Sequence, residues 1–385
     1  MYFTARWAAG ALLVAASMAA QAQYKAEFLE DSKAVGAVVA DFNKDGHDDI
    51  FVAGHHSEDR IWYWTPVGYK PSEQIFEWVD RHDCDAADVD LDGRIDLYCA
   101  VGAEKGTGDG PKELWLQGED GKFTKALDHG AEDPYGRGRI PIFMDFNHDG
   151  YPDIYLTNLA SLRDDGQANV NHLFINQGGA RFVETPTRAT GERGSQCAVK
   201  GDINRDGWDD LIVCHEKGVG HVYLNDRQGD FEEIFPAAIR GEWTHVRLRD
   251  INGDSRDDLL LIRDGSFLEV WVNTGKAPYF DKLSFSDKLP GFGRALAIGE
   301  FTGDTRLDIY VTLRDAACDD TLQDKAPDLV YKSKARGIGW QRTTLTQQAY
   351  TGCGYLVETV DGNKILLENG QMDDRGPNYV LSFGR

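Results

Sequence analysis

The stretch Asp41-Phe42-Asn43-Lys44-Asp45-Gly46-His47-Asp48-Asp49 decides how this chain is read, because its pattern returns five more times. The copies begin at Asp88, Asp145, Asp202, Asp250 and Glu300, spaced by 47, 57, 57, 48 and 50 residues. Positions 1, 3, 5 and 9 offer side-chain oxygens: Asp41, Asn43, Asp45 and Asp49, then Asp88, Asp90, Asp92 and Asp96, then Asp145, Asn147, Asp149 and Asp153. The later three copies supply Asp202, Asn204, Asp206 and Asp210, then Asp250, Asn252, Asp254 and Asp258, and last Glu300, Thr302, Asp304 and Asp308. Oxygen ligands at positions 1, 3 and 5 followed by a glycine for the sharp bend wrap a short loop around a hard cation, with position 9 adding a carboxylate. Ca²⁺ is the expected ion, with five strong sites and a weaker sixth where Glu300 and Thr302 replace the usual residues. An EF-hand would need Glu at position 12, where this chain has Val52, Cys99, Leu156, Val213, Leu261 and Val311.

Each loop lies between short apolar, β-branched runs such as Val35 to Ala40 and Ile50 to Ala53, which read as buried strands. Leu173 to Phe182 and Val222 to Phe231 read as hairpins with Gly-rich turns. One repeat of this length therefore holds four strands, and serial repetition predicts an all-β, seven-bladed β-propeller, with calcium loops between the first and second strands of six blades. The seventh blade is placed on a degenerate loop near 357, where Ile365 stands at the position of Asp49. The strand Tyr24 to Leu29 is expected to complete that last blade, closing the ring and removing an exposed edge.

These loops resemble the FG-GAP and VCBS repeats of integrin-α-type propellers and their bacterial relatives, over nearly all of residues 24–385. The Phe-Gly signature survives most clearly as Phe292-Gly293. The resemblance implies calcium loops gathered on one face, with binding commonly on the other.

Residues 1–22 combine Arg6, an apolar run from Trp7 to Ala20 and the close Ala20-Gln21-Ala22, the layout of a secretory signal. About 14 apolar residues are too few for a membrane span, which needs roughly 20. Residues 23–385 are then expected as a single propeller domain, periplasmic or secreted, and monomeric. The formal charge of −23 argues against nucleic acid as a partner, while 41% hydrophobic residues suffice for a core. Six cysteines in an exported chain suggest three disulfides. Cys84 and Cys99 lie at −4 and +11 from their loop's first ligand, and Cys197 and Cys214 at −5 and +12 from theirs. Each pair sums to the value that places the two residues opposite one another on antiparallel strands. Cys318 and Cys353 remain for a bridge between blades.

A catalytic constellation does not emerge from the residues. His55-His56 and His215-Glu216 with His221 lack the helical spacing of a zinc hydrolase and are expected as solvated loop histidines. On the inner strands, Asp83 and Asp85 share one face, as do His245, Arg247 and Arg249. Arg81, Arg137, Arg139, Arg193, Arg240 and Arg294 fall near the entry to first strands, some beside Tyr135, Trp243 and Phe292. Such a basic face suits carboxylate or sulfate, and its aromatic rings suit sugars; pairing with neighbouring Asp residues is the structural alternative. Arg139, Arg294, His245, Arg247 and Arg249 are the candidate ligand-binding residues. The expected function is a binding module for an acidic glycan or a partner protein. A polysaccharide lyase and a structural part of an envelope assembly are the alternatives.

Overall fold

The computed structural model describes residues 24–102, 110–159, 169–191, 194–215, 218–314, 328–334, 339–344, 356–368 and 376–383. The expected signal sequence, Arg193, Cys318 and Cys353 fall outside these. All regular structure among the described residues is β, as the alternating and apolar runs require. Among the described residues no helix is long and apolar enough to cross a membrane.

The repeats fold as antiparallel sheets in which successive strands are neighbours. Five sheets are separate four-stranded blades, so the expected count of seven separate blades is corrected to five. Strands between Ala34 and Ala126 instead form one seven-stranded sheet. The cause is the strand Asp49–Tyr63, which runs for 15 residues and continues past its first-strand partner. Its distal half pairs with Phe76–Ala87 through His55↔Asp80, Ser57↔Val79 and Asp59↔Phe76, joining what would otherwise be two blades.

The last sheet contains both ends of the described chain. Tyr24–Ser32 pairs antiparallel with Gly376–Phe383, from Tyr24↔Phe383 to Ser32↔Gly376. The two strands Leu356–Asp361 and Lys364–Glu368 are joined only by a tight turn at Gly362 and Asn363, so the degenerate loop near 357 has no room for a ligand cage. The core lies between sheets. One apolar cluster sets Ile50, Val52 and Trp62 against Leu29, Val360, Leu366 and Val380, which seals the first repeat to the last sheet. Inner strands approach closely at the axis: a Cβ on Gly36 would stand 2.5 Å from the His82 carbonyl oxygen, so only glycine fits.

Both described disulfides follow the register expected of them. Cys84↔Cys99 and Cys197↔Cys214 are directly opposed pairs, with Cα atoms 4.0 and 5.0 Å apart. Each closes a covalent ring around one acidic loop.

A buried acid elsewhere gives the fold a pH dependence. Asp328 accepts from the Leu313 amide at 3.0 Å and from the Tyr310 hydroxyl at 2.8 Å, and burial pushes its carboxyl up to about 7. A carboxyl whose folded value is raised favours the folded state most at low pH, and that advantage is lost as pH rises from the unfolded value of 3.8 through about 7. Asp328→Asn is therefore expected to melt a few degrees higher than the parent at pH 8 and no higher at pH 4. Equal differences at both pH values would refute this.

Candidate functional site

Acidic loops link the first and second strands of the blades, and their ninth-position aspartates are the most constrained residues in them. Asp49, Asp153, Asp210, Asp258 and Asp308 have no exposed surface, and Asp96 is 1% exposed. In each, one oxygen accepts the backbone N–H of loop position 2. Phe42, Val89, Phe146, Ile203 and Phe301 donate at 2.9–3.0 Å, and Ile251 donates to Asp258. The other oxygen accepts an N–H from further along the blade, at 2.8–3.0 Å: Trp64 just past the long strand Asp49–Tyr63, and Gln117, Asn176, Asn225, Asn273 and Ser333 at the ends of third strands. This carboxylate thus bolts the loop to its own blade. Burial pushes it up to about 6 at Asp49 and Asp258 and about 7 at Asp96, Asp153 and Asp210, against the lowering effect of the amides.

Positions 1, 3 and 5 turn outward and are exposed or half-buried. Oxygens of Asp88, Asp90 and Asp96 lie within 4.8 Å of one another, and so do those of Glu300, Asp304 and Asp308. The degenerate sixth loop therefore draws its acids together as closely as a regular one. The position-6 glycines Gly46, Gly93, Gly150 and Gly207 take φ of +85 to +90°, a bend other residues resist. In the last two loops Ser255 and Thr305 accept φ +65° at that position, and glycine has moved to position 4. Arginine at position 7 engages the position-5 acid in three loops: Arg94 with Asp92, Arg256 with Asp254 and Arg306 with Asp304. Loops at Asp41 and Asp145 carry His47 and Tyr151 there instead.

A second role of the loops is not visible in the ligand pattern. Third-strand residues donate to the position-2 carbonyl of the preceding repeat's loop: Gln117 to Phe42 at 3.0 Å, and Asn176 to Val89, Asn225 to Phe146 and Asn273 to Ile203 at 2.9 Å. The recurring Asn at the end of Leu173 to Asn176 and Val222 to Asn225 was the available signal.

At the end of the axis away from these loops, first strands surround a cavity of about 410 Å³. Arg139, His245, Arg247 and Arg294 line it together, beside Phe292 and Thr244. His82, Asp83, Glu242 and Asp264 line it too, so its charge is mixed rather than purely basic. Burial, reinforced by the Arg247 and Arg294 charges, holds His245 well below the usual imidazole range, so it stands there as a neutral donor or acceptor. Arg249 departs from the expected set. It is exposed beside Asp250, because the strand Trp243–Arg249 runs away from the cavity toward the acidic loop. Arg81 is corrected as well. It has no exposed surface and is bound to Asp59 at 2.8 Å and Glu113 at 2.7 Å, the structural alternative realised. Trp243 is wholly buried and packs where a Cβ on Gly220 would stand 2.0 Å from its ring. Asp85 turns to the other end of the axis, accepting from Phe143 N at 2.7 Å, in a cavity of about 370 Å³ with Asp145, Lys200 and Asp209.

The histidines expected in solvated loops are elsewhere. His55 and His56 lie within the long strand Asp49–Tyr63, half-buried, and form a group with Asp80. Burial alone would raise the Asp80 carboxyl, but the neighbouring His82, His55 and His56 rings hold it at about 2. His215 is buried at the end of its strand, 3.2 Å from Ser195 Oγ, and His221 pairs with Glu233.

Antiparallel sheets arranged in series around a lined axis, with an acidic loop after six of their first strands, define a repeat β-propeller. FG-GAP-like repeats match at residues 41–99, 88–156 and 202–261, and together with the sheet arrangement they support an FG-GAP repeat β-propeller. Among solved structures it is similar to BBS1N in complex with ARL6DN, soaked with mercury, at 10% identity and a TM-score of 0.57, over 95% of this chain and 97% of that one. A second structure of that complex, soaked with lead, gives 11% identity and a TM-score of 0.55 over the same shares. Sqt1 of Saccharomyces cerevisiae aligns at 10% identity and a TM-score of 0.53, covering 91% of this chain and 83% of that chain. Likeness at this identity concerns the fold. No curated protein sequence matches the chain.

Proposed function

We propose that the chain is an exported, calcium-stabilised interaction module that receives an anionic partner, an acidic glycan or an acidic protein surface, at the Arg-lined end of its axis. The observation that carries this reading is the convergence of Arg139, Arg247 and Arg294 on one cavity in a chain of net charge −23. Guanidinium groups offer planar forks for carboxylate or sulfate, and exposed Phe292 at the rim offers an apolar face to a sugar ring. Asp83, Glu242 and Asp264 would reject a partner whose charges are out of register, giving selectivity among anions. Calcium fits the opposite face because the outward donors are all oxygens and the ninth-position carboxylates fix the loops before any ion arrives. The two cross-strand disulfides suit an oxidising compartment. That BBS1N was solved with a protein bound supports partner binding by propellers of this shape.

Arg294→Glu and Arg139→Glu are expected to weaken binding of a sulfated or uronate polymer on the order of tenfold and to flatten its salt dependence. Calcium is kept saturating so that a folding defect is not read as a lost contact. Heparin and polygalacturonate serve as probes. Equal affinity of both variants and the parent, or loss only on reversing Lys200 at the far end, would refute the assignment.

A further inference from the structure

His55, His56 and Asp80, at the junction of the fused sheet, belong to neither the axial cavity's lining nor the acidic loops, although His82 beside them also lines that cavity. Ligand-type atoms of His55, His56 and Asp80 all lie within 4.8 Å of one another. The His55 Nε2 stands 3.0 Å from Asp80 Oδ1, and His82 Nε2 stands 3.4 Å from the same oxygen. Asp80 Oδ1 is buried between these two rings, and a hydrogen bond from His82 helps keep its carboxylate charged. The Nδ1 of His55 is buried with no hydrogen bond among the described residues. His55 Nε2 and Asp80 Oδ1, 3.0 Å apart, stand close to the roughly 3.3 Å that separates two ligands of one tetrahedral ion with bonds of about 2.0–2.1 Å.

The backbone is shaped to produce that convergence. Successive residues of a regular strand point to opposite faces, so His55 and His56 should not share a side. His56 adopts φ +52°, a left-handed conformation that costs a non-glycine residue on the order of 1 kcal/mol, and the pairing register shifts between His55 and Ser57. This bulge re-aims one ring, and the two imidazoles meet with centroids 4.5 Å apart. Strain held at one residue to gather three donors is the mark of a site. Close approach of the chain finishes it: a Cβ on Gly102 would fall 2.1 Å from Asp80 Oδ2 and 2.7 Å from His82 Nε2. Trp78, 60% exposed, covers the outer side with its ring 4.8 Å from that of His56.

We infer that His55, His56 and Asp80 bind a single borderline transition-metal ion such as Zn²⁺, with His82 as a positioning residue for the Asp80 carboxylate. Two imidazoles and one carboxylate select a borderline ion over Ca²⁺, whose ligands are oxygens. Three protein ligands leave one position of a tetrahedral ion for water or a further ligand.

The test uses the whole calcium-saturated protein, so that the acidic loops are already filled. Titrated Co²⁺ should bind stoichiometrically and give the intense visible bands of a low-coordinate site, which Zn²⁺ then abolishes. His55→Gln combined with His56→Gln should remove the bands while calcium-dependent melting is unchanged, and His82→Asn should weaken the metal about 10- to 100-fold with the bands retained. Should the double variant fail to fold, ¹⁵N-imidazole spectra of the parent decide: Zn²⁺ must shift the His55 and His56 resonances and leave His172 and His215 in place. Featureless cobalt spectra, Zn²⁺ shifts confined to other histidines, or full binding by the folded double variant would each overturn the inference.

Discussion

Chelation with EDTA is expected to lower the melting temperature of this protein by at least about 10 °C, and readdition of Ca²⁺ to restore it. Six loops hold 19 carboxylates among their positions 1, 3, 5 and 9, and no cation means repulsion within every cluster. An ion held at a hundredfold excess over its Kd adds about 2.7 kcal/mol per site. Each kcal/mol moves the midpoint of a large domain by roughly 2–4 °C, so even two occupied loops give an effect of this size. Loops at Asp41 and Asp145 should fill first, since Arg94, Arg256 and Arg306 occupy the position-5 acid in three of the others. Asp45→Ala and Asp149→Ala should accordingly lower calcium affinity more than Asp92→Ala. An EDTA melting curve superimposed on the calcium curve would sink the calcium reading and leave the motif with its hydrogen-bonding roles within and between repeats.

Arg81→Ala is expected to destabilise the fold by about 3–5 kcal/mol, because it strands a buried carboxylate without its cation. Arg81 and its partners Asp59 and Glu113 are at most 3% exposed, and its guanidinium also donates to the Glu77 carbonyl at 2.7 Å. Lysine should not rescue it, since one ammonium cannot span both carboxylates as the guanidinium fork does. Burial already pushes the Asp59 carboxyl up to about 6 despite Arg81. Without Arg81 that value rises further, so the defect is expected to shrink as pH falls from 8 to 5, where a protonated Asp59 needs no partner. Denaturant unfolding of parent and variant at pH 8 and pH 5 measures both. Arg294→Glu is the control: it should change binding and leave the unfolding midpoint nearly unmoved, whereas equal midpoints for Arg81→Ala and the parent would refute a structural Arg81.

The sequence by itself determined the repeat, the all-β class, the strands that flank each loop and two disulfides, because these depend on spacing and periodicity within one repeat. Cys84 and Cys99 face each other for the same reason that Ala87 faces Asp96: the antiparallel register is set by the loop between them. The tertiary structure alone decided whatever depends on two repeats meeting. Arg81 and Arg139 occupy similar positions in their repeats, yet one is locked onto Asp59 and Glu113, brought to it by neighbouring strands, while the other lines the axial cavity. Separation into blades was decided at the same level, for the 15-residue length of Asp49–Tyr63 is legible but its pairing with Phe76–Ala87 is not. That pairing also carries His55 and His56 to Asp80, which lies 24 residues on in sequence and is reached only because a left-handed turn at His56 breaks the alternation every strand reading assumes.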